Sequence, residues 1–158
     1  MTKPDLYSRK SETMMRDLKL VALDADDLQV ISSCCQDAVL KVGDLDYLAA
    51  DGRFVLVMNR FAWETRNDAG TQNERRRSVL HFDRVSGVKV SGINRAAKDT
   101  VLSLLAILFE VGDEPAGTVE LVFAGDGGIR LQVECIEAQM SDLPGRWEAK
   151  SVPSHEQE

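Results

Sequence analysis

The chain has 158 residues, 44% of them apolar and 28% charged, and carries a formal net charge of −7. That length and composition suit one globular domain whose core needs neither disulfides nor a structural metal. No apolar run approaches the roughly 20 residues that span a bilayer, and so acidic a chain is a poor general binder of nucleic acid.

Cys34 and Cys35 are neighbours, Cys135 is distant, and His81 and His155 are the two histidines. An odd cysteine count without a CxxC pair gives neither a disulfide framework nor a zinc site. No Asp/Gly-patterned calcium loop is present either. No metal and no cofactor are therefore expected. The polar N-terminus lacks the apolar stretch of a secretory signal, so the expected location is the cytoplasm, with no membrane contact.

Residues 1–16 are polar and without periodicity and read as a flexible tail, residues 17–144 as a single domain, and residues 145–158 as a second tail. The domain opens with a strand over residues 18–22. A helix follows: Asp24 can cap it, Asp26 and Asp27 put negative charge in its first turn, and Leu23 and Leu28 stand where a hydrophobic staple would form. Leu28, Ile31, Cys35 and Ala38 then recur along one helical face, which makes Cys35 a small core residue. Strands are expected at 39–42, 46–49 and 54–61, the last two joined through Asp51-Gly52, the favoured pair of a type I′ turn. Both alternating faces of 54–61 are apolar, which predicts a central strand covered on both sides.

Residues 64–77 are polar and read as an exposed loop after Trp63. Two strands, 78–85 and 88–93, are expected to bend at Ser86-Gly87, and a polar connection, 94–100, follows. The apolar run 101–109 fits a central strand, with a helix still open. In the last hairpin Val119, Leu121 and Phe123 share a face with Ile129, Leu131 and Val133 if Phe123 opposes Ile129 across an odd loop. After Cys135 the apolar phase shifts, as in a bulged strand or a short helix. The fold class is α+β: a bent antiparallel sheet or roll of about seven strands with one N-terminal helix packed on it.

Several stretches resemble one known family. They are residues 18–24 and 36–44, Asn59-Arg60-Phe61-Ala62-Trp63-Glu64, Arg75-Arg76-Arg77-Ser78-Val79-Leu80-His81-Phe82 and Glu134-Cys135-Ile136-Glu137-Ala138. The chain is similar there to an uncharacterised bacterial family, a domain of unknown function found mainly in alphaproteobacteria, over residues 17–148. The resemblance implies a bacterial, cytoplasmic protein and brings no activity, cofactor or catalytic residue with it.

Three features are candidate sites. Gly125-Asp126-Gly127-Gly128 has the glycines of a phosphate loop, but a strand-like alternation follows it where a helix would be needed, so it reads as a turn. His81 and Asp83 would share one face of a strand and could serve as an acid/base pair, although no nucleophile is signalled beside them. The third is electrostatic: residues 75–98 carry seven cations against Asp83 alone, a net of +6 in a chain of −7, so the remainder carries −13. On an extended chain Arg75, Arg77, His81 and Lys89 share one parity, and Leu80, Phe82, Val88 and Val90 the other.

Two readings of function follow. In the first, Arg60, Trp63, Arg75, Arg76, Arg77 and Lys89 form the contact surface of a non-enzymatic interaction or ligand-binding module for an acidic protein surface or an anionic ligand. Arginines beside aromatics would also suit RNA stacking, which the acidic remainder of the chain disfavours. In the second, a small enzyme acts on an anionic metabolite with His81 and Asp83 as acid and base. A deep pocket lined by His81 and arginines would favour the second, a flat basic sheet face the first.

Overall fold

The computed structural model describes residues 18–62 and 74–148. The expectations for residues 1–16, for Trp63 and the loop as far as residue 73, and for residues 149–158 lie outside the described residues.

Strand β1 (Lys19–Ala22) leads into helix α1 (Ala25–Cys34), followed by β2 (Ala38–Lys41), β3 (Leu45–Leu48), β4 (Arg53–Phe61), β5 (Glu74–Phe82), β6 (Val85–Ser91), β7 (Val101–Val111), β8 (Gly117–Phe123), β9 (Gly128–Val133) and β10 (Ala138–Glu148). Among the described residues the sheet thus has ten strands, where about seven were expected. The apolar run from Val101 resolves as strand, and so does the segment after Cys135. β10 also runs to Glu148, into the expected tail, and pairs there with a β5 that begins at Glu74, inside the expected loop.

All strand pairs are antiparallel, in the order β1-β10-β5-β4-β2-β7-β8-β9-β6, with β3 also on β4. β5 with β6, and β10 with β9, make one long two-stranded ribbon that turns a corner. At the corner the Asp83 N–H donates to the Glu137 carbonyl (2.8 Å) and the Glu134 N–H to the Arg84 carbonyl (2.9 Å). Arg84 makes the bend in the left-handed region, φ 62°. The bend falls before the expected Ser86-Gly87, where the ladder instead carries a bulge between Val85 and Gly87. Because the ribbon turns, both halves of the sheet face one interior. Phe54, Leu56, Met58, Leu80 and Phe82 meet Leu104, Leu121, Phe123, Ile129 and Leu131 in a single buried cluster. Each fully buried side chain of this size contributes roughly 1.5–3 kcal/mol of transfer free energy.

Asp24 caps α1 by accepting from the Asp27 N–H (2.8 Å), and the Asp27 carboxylate accepts in return from the Leu23 N–H (3.2 Å). The expected staple does not form, since Leu23 is 66% exposed while Leu28 is buried. Leu28 and Ile31 join the core, and Cys35 Sγ lies 3.4 Å from Met140 Sδ. A bulge in β7 between Leu104 and Ala106 breaks its ladder with β8, and the Ile107 N–H next to it donates to Ser32 Oγ at 2.9 Å. One hydroxyl thus ties the helix to the sheet.

Two turns differ from expectation. The β3–β4 connection is a 3-10 turn, Ala49–Asp51, closed by Gly52 in the left-handed region, so the Asp-Gly pair ends a hairpin without forming a type I′ turn. In the β8–β9 hairpin Leu121 opposes Ile129 and Val122 opposes Gly128, a shift of two residues from the expected Phe123–Ile129 pairing. A shift of two preserves parity, and the predicted apolar set stays inside.

Candidate functional site

Among the described residues β3 pairs with β4 alone and β6 with β9 alone, so each keeps one open edge. A framed cleft lies between them. At one end the Val85 N–H donates to the Gly52 carbonyl (2.9 Å) and the Tyr47 hydroxyl lies 3.5 Å from the Val85 carbonyl. At the other, the β6–β7 connection crosses to the turn before β3, with the Gly43 N–H on the Lys98 carbonyl (2.9 Å) and the Val42 N–H on that of Thr100 (2.9 Å). A Cβ on residue 43 would sit 3.3 Å from the Lys98 carbonyl oxygen, so this crossing is close.

The frame borders a half-open cavity of about 350 Å³. Leu45, Tyr47, Val88 and Val90 line its sides and the buried Phe54 and Ile129 its depth. Its polar side chains, apart from the Tyr47 hydroxyl, are Asp46, Arg95 and Lys98. Arg95 and Lys98 belong to the predicted basic segment but were not among the predicted contact residues. Their signal was the pair of cations in the polar connection after β6.

A second, shallower groove of about 300 Å³ lies where β2 and β4 meet at the single pair Val39–Asn59. Val39, Val57 and Val101 contribute its apolar surface, and Lys41, Arg77, Asp44 and Asn59 its polar groups. Arg77 Nη1 donates to Asn59 Oδ1 at 3.1 Å. Among the described residues neither Lys41 nor Arg77 forms an ion pair.

Arg60 and Arg76, both expected at a contact surface, are fully buried. Arg60 Nε and Nη2 donate to the two carboxylate oxygens of Asp142, Arg76 Nη1 lies 3.4 Å from Asp142 Oδ2, and the Ser78 hydroxyl donates a short hydrogen bond to Asp142 Oδ1. Burial alone would raise the Asp142 carboxyl. The hydrogen bond and charge of Arg60, with the Ser78 hydroxyl and the Leu18 N–H, outweigh it and hold the group below its ordinary value. Asp142 was not predicted. The parity that turns Leu80 and Phe82 inward also turns Arg76 inward, and a buried arginine requires an acceptor.

Arg75 stays half-buried on the outer face of β5, its guanidinium 5.9 Å from the Phe61 ring centre. Burial lowers its pKa, opposed by the charge of Asp37. Lys89 is exposed and faces Arg130 across the β6–β9 ladder. His81 Nδ1 is 3.4 Å from Asp83 Oδ2 without the alignment of a hydrogen bond, and Asp83 Oδ1 is already held by Arg53 Nε at 2.7 Å. Neither His81 nor Asp83 lines either cavity. The basic segment is thus divided between the interior, the outer sheet face and the cleft rim. Among the described residues no group of three His, Cys, Asp or Glu side chains could hold a metal ion, and no helix is long and apolar enough to cross a membrane.

The described residues form one α-helix, an antiparallel sheet of ten strands and a cleft framed by two open edges, an α+β arrangement. The chain matches the family model described as Protein of unknown function (DUF2948) over residues 18–155, and it belongs to that family. No curated protein and no solved structure matches it.

Proposed function

We propose that the domain is a non-enzymatic binding module whose site is the cleft between β3 and β6, and whose ligand is a small anion with an apolar part. One observation carries this reading. A cavity of about 350 Å³ reaches the buried Phe54 and Ile129 and holds Arg95 and Lys98, both exposed, among its lining. A concave volume of this size with a few convergent polar groups is the usual setting of a small-molecule site. Against the enzymatic reading, His81 stands outside both cavities and Asp83 is held by Arg53. Three cysteines, an odd count without a CxxC pair, suit a reducing compartment, and we read the setting as the bacterial cytoplasm.

The test is a thermal-shift panel of carboxylates and phosphates on the purified protein. A ligand at about a hundred times its Kd stabilises by roughly 2.7 kcal/mol. The Arg95→Glu/Lys98→Glu double variant should lose the shift, and His81→Gln should keep it. A panel in which no anion moves the midpoint, or a double variant that responds like the parent, ends the proposal.

The outer groove supports a second reading, contact with an acidic protein surface, because Lys41 and Arg77 flank apolar side chains without ion-pair partners among the described residues. Arg77→Glu should abolish such binding in a pull-down while the fold is kept. Unchanged partners would exclude it.

A further inference from the structure

We infer that the cleft takes an extended acidic peptide, inserted as a strand between the open edges of β3 and β6. The assignment deepens the anion-binding reading and rests on the cleft being the site. Width, backbone and side-chain pattern all support it.

The gap is wide enough for a strand. Over nearly all of their length β3 and β6 stand more than 8 Å apart between Cα atoms. Paired strands lie about 4.8 Å apart, so one missing strand leaves a gap of about 9.6 Å. At the corner the two strands are held near each other, with the Val85 N–H on the Gly52 carbonyl and the Tyr47 hydroxyl 3.5 Å from the Val85 carbonyl. Leu45 and Tyr47 of one strand and Val88 and Val90 of the other line the same cavity.

The backbone on both sides is ready to pair. Among the described residues neither strand has a neighbour on the gap side, and neither contains proline. Alternate residues of an edge strand direct N–H and C=O outward, and proteins commonly blunt such edges. β3 runs from the Lys98 crossing toward the corner, and β6 runs from the corner toward that crossing. An inserted strand is therefore parallel to one edge and antiparallel to the other. Its alternate residues bond the two sides in turn, which is strand addition made on both edges at once. A sugar or a nucleotide has no such repeat of paired donors and acceptors.

The side chains set the pattern of the peptide. Leu45, Tyr47, Val88 and Val90 are half-buried against the core, above the buried Phe54 and Ile129, while Asp46 and Lys89 between them are exposed. An inserted strand continues this alternation, with every second side chain toward Phe54 and Ile129 and the others toward solvent. Apolar residues suit the inner positions. The outer ones meet Lys89 on the β6 edge, Arg95 and Lys98 at the lining, and Asp46 opposite, so positive charge prevails and acidic residues suit them.

The probe is fluorescein-labelled Glu-Val-Glu-Val-Glu-Val amide, titrated with the full chain and followed by anisotropy, which should saturate. N-methylation of every valine, or of every glutamate, should each weaken binding about tenfold or more, because each set removes the donors to one edge. The block peptide Glu-Glu-Glu-Val-Val-Val, and Lys-Val-Lys-Val-Lys-Val, should bind at least about tenfold more weakly, as should the Lys89→Glu and Arg95→Glu/Lys98→Glu variants with circular dichroism unchanged. Hydrogen exchange with the peptide bound should slow in Leu45–Leu48 and Val85–Ser91 and stay as it was in Lys19–Ala22, at the far edge of the sheet. If either N-methylated peptide binds like the parent, or protection falls outside β3 and β6, strand insertion is wrong. Protection of both strands that grows with protein concentration alone assigns the gap to a second copy and also overturns it. If small carboxylates or phosphates give a thermal shift that Arg95→Glu/Lys98→Glu loses while the peptide does not bind, the peptide is wrong and the anion site stands. If neither binds, both fail.

Discussion

Arg60 holds Asp142 through two parallel hydrogen bonds, Nε to Oδ1 at 2.9 Å and Nη2 to Oδ2 at 2.8 Å, and neither side chain reaches solvent. The pair joins β4 to β10 across the intervening β5, whose Ser78 and Arg76 also reach the carboxylate. Asp142 further accepts from the Leu18 N–H at 2.9 Å, so the entry of the chain into β1 depends on the same group. Asp142→Asn would leave two buried guanidiniums without their shared carboxylate. The expected loss is about 3–5 kcal/mol, the range for breaking a buried ion pair from one side, measured as a fall in the urea midpoint.

The same carboxylate should set part of the acid limb of stability. Its pKa in the folded state lies below the ordinary value because Arg60, Ser78 and Leu18 favour the ionised form over the opposing effect of burial. A depressed carboxyl stabilises the fold fully above its unfolded pKa of about 3.9, and that contribution falls away as pH drops through the folded value. Acid unfolding followed by circular dichroism should therefore be shallower below about pH 4 in Asp142→Asn than in the parent. Parallel acid limbs would show that Asp142 contributes nothing to the dependence.

Neighbouring arginines should behave in opposite ways. Arg76 is fully buried beside Asp142, and Arg76→Glu would set a second carboxylate against the first, so the protein should fail to fold or lose several kcal/mol. Arg77, one residue on, is exposed, and Arg77→Glu should change the urea midpoint by no more than about 0.5 kcal/mol. A charge-reversal test of the outer sheet face therefore belongs at Arg77, with Arg76 left intact.

What the sequence reveals of this fold follows from what each signal measures. Alternation in Val119–Phe123 and Ile129–Val133 reports which side chains face inward, and those residues are inside. Alternation cannot separate registers that differ by two, and here the choice fell to the turn, where Gly125 and Asp126 both take positive φ. The corner at Arg84 carries no glycine and left no local mark, so the bend was expected at Gly87. Asp142 and Arg60 are separated by 82 residues, and nothing local to either announces the other. The cleft was least legible of all, because it exists where β3 and β6 leave their edges open, and unformed pairs leave no pattern in a chain.

Arg84 offers a direct test of the corner. With φ at 62° it occupies a region that an L-residue enters at a cost, and its ion pair with Glu137 (3.3 Å) is exposed and weak. Arg84→Gly should hold or raise the melting temperature. Arg84→Val puts a β-branched residue at positive φ and should lower it by at least about 2–4 °C, the shift a domain of this size shows per kcal/mol. Equal melting temperatures for the two variants would mean that the corner does not depend on the conformation of residue 84.

Gly92 tests whether the loop bearing the proposed ligand cations is fixed by the fold. It begins the β6–β7 connection with φ at 70°, and a Cβ there would sit 2.6 Å from the Asp126 carbonyl oxygen in the β8–β9 turn. That oxygen belongs to backbone and cannot swing aside. The turn also packs closely on the next residue, since a Cβ on residue 127 would lie 3.0 Å from Ile93 Cγ1. Gly92→Ala should therefore cost roughly 1–3 kcal/mol, through positive φ and a backbone clash together. The loop must move to admit the methyl group, and Arg95 and Lys98 move with it. The anion-induced thermal shift should then shrink in Gly92→Ala even where the protein remains folded, while Gly125→Ala, whose Cβ would meet nothing within 4 Å, should lose stability through its φ of 81° and keep the shift.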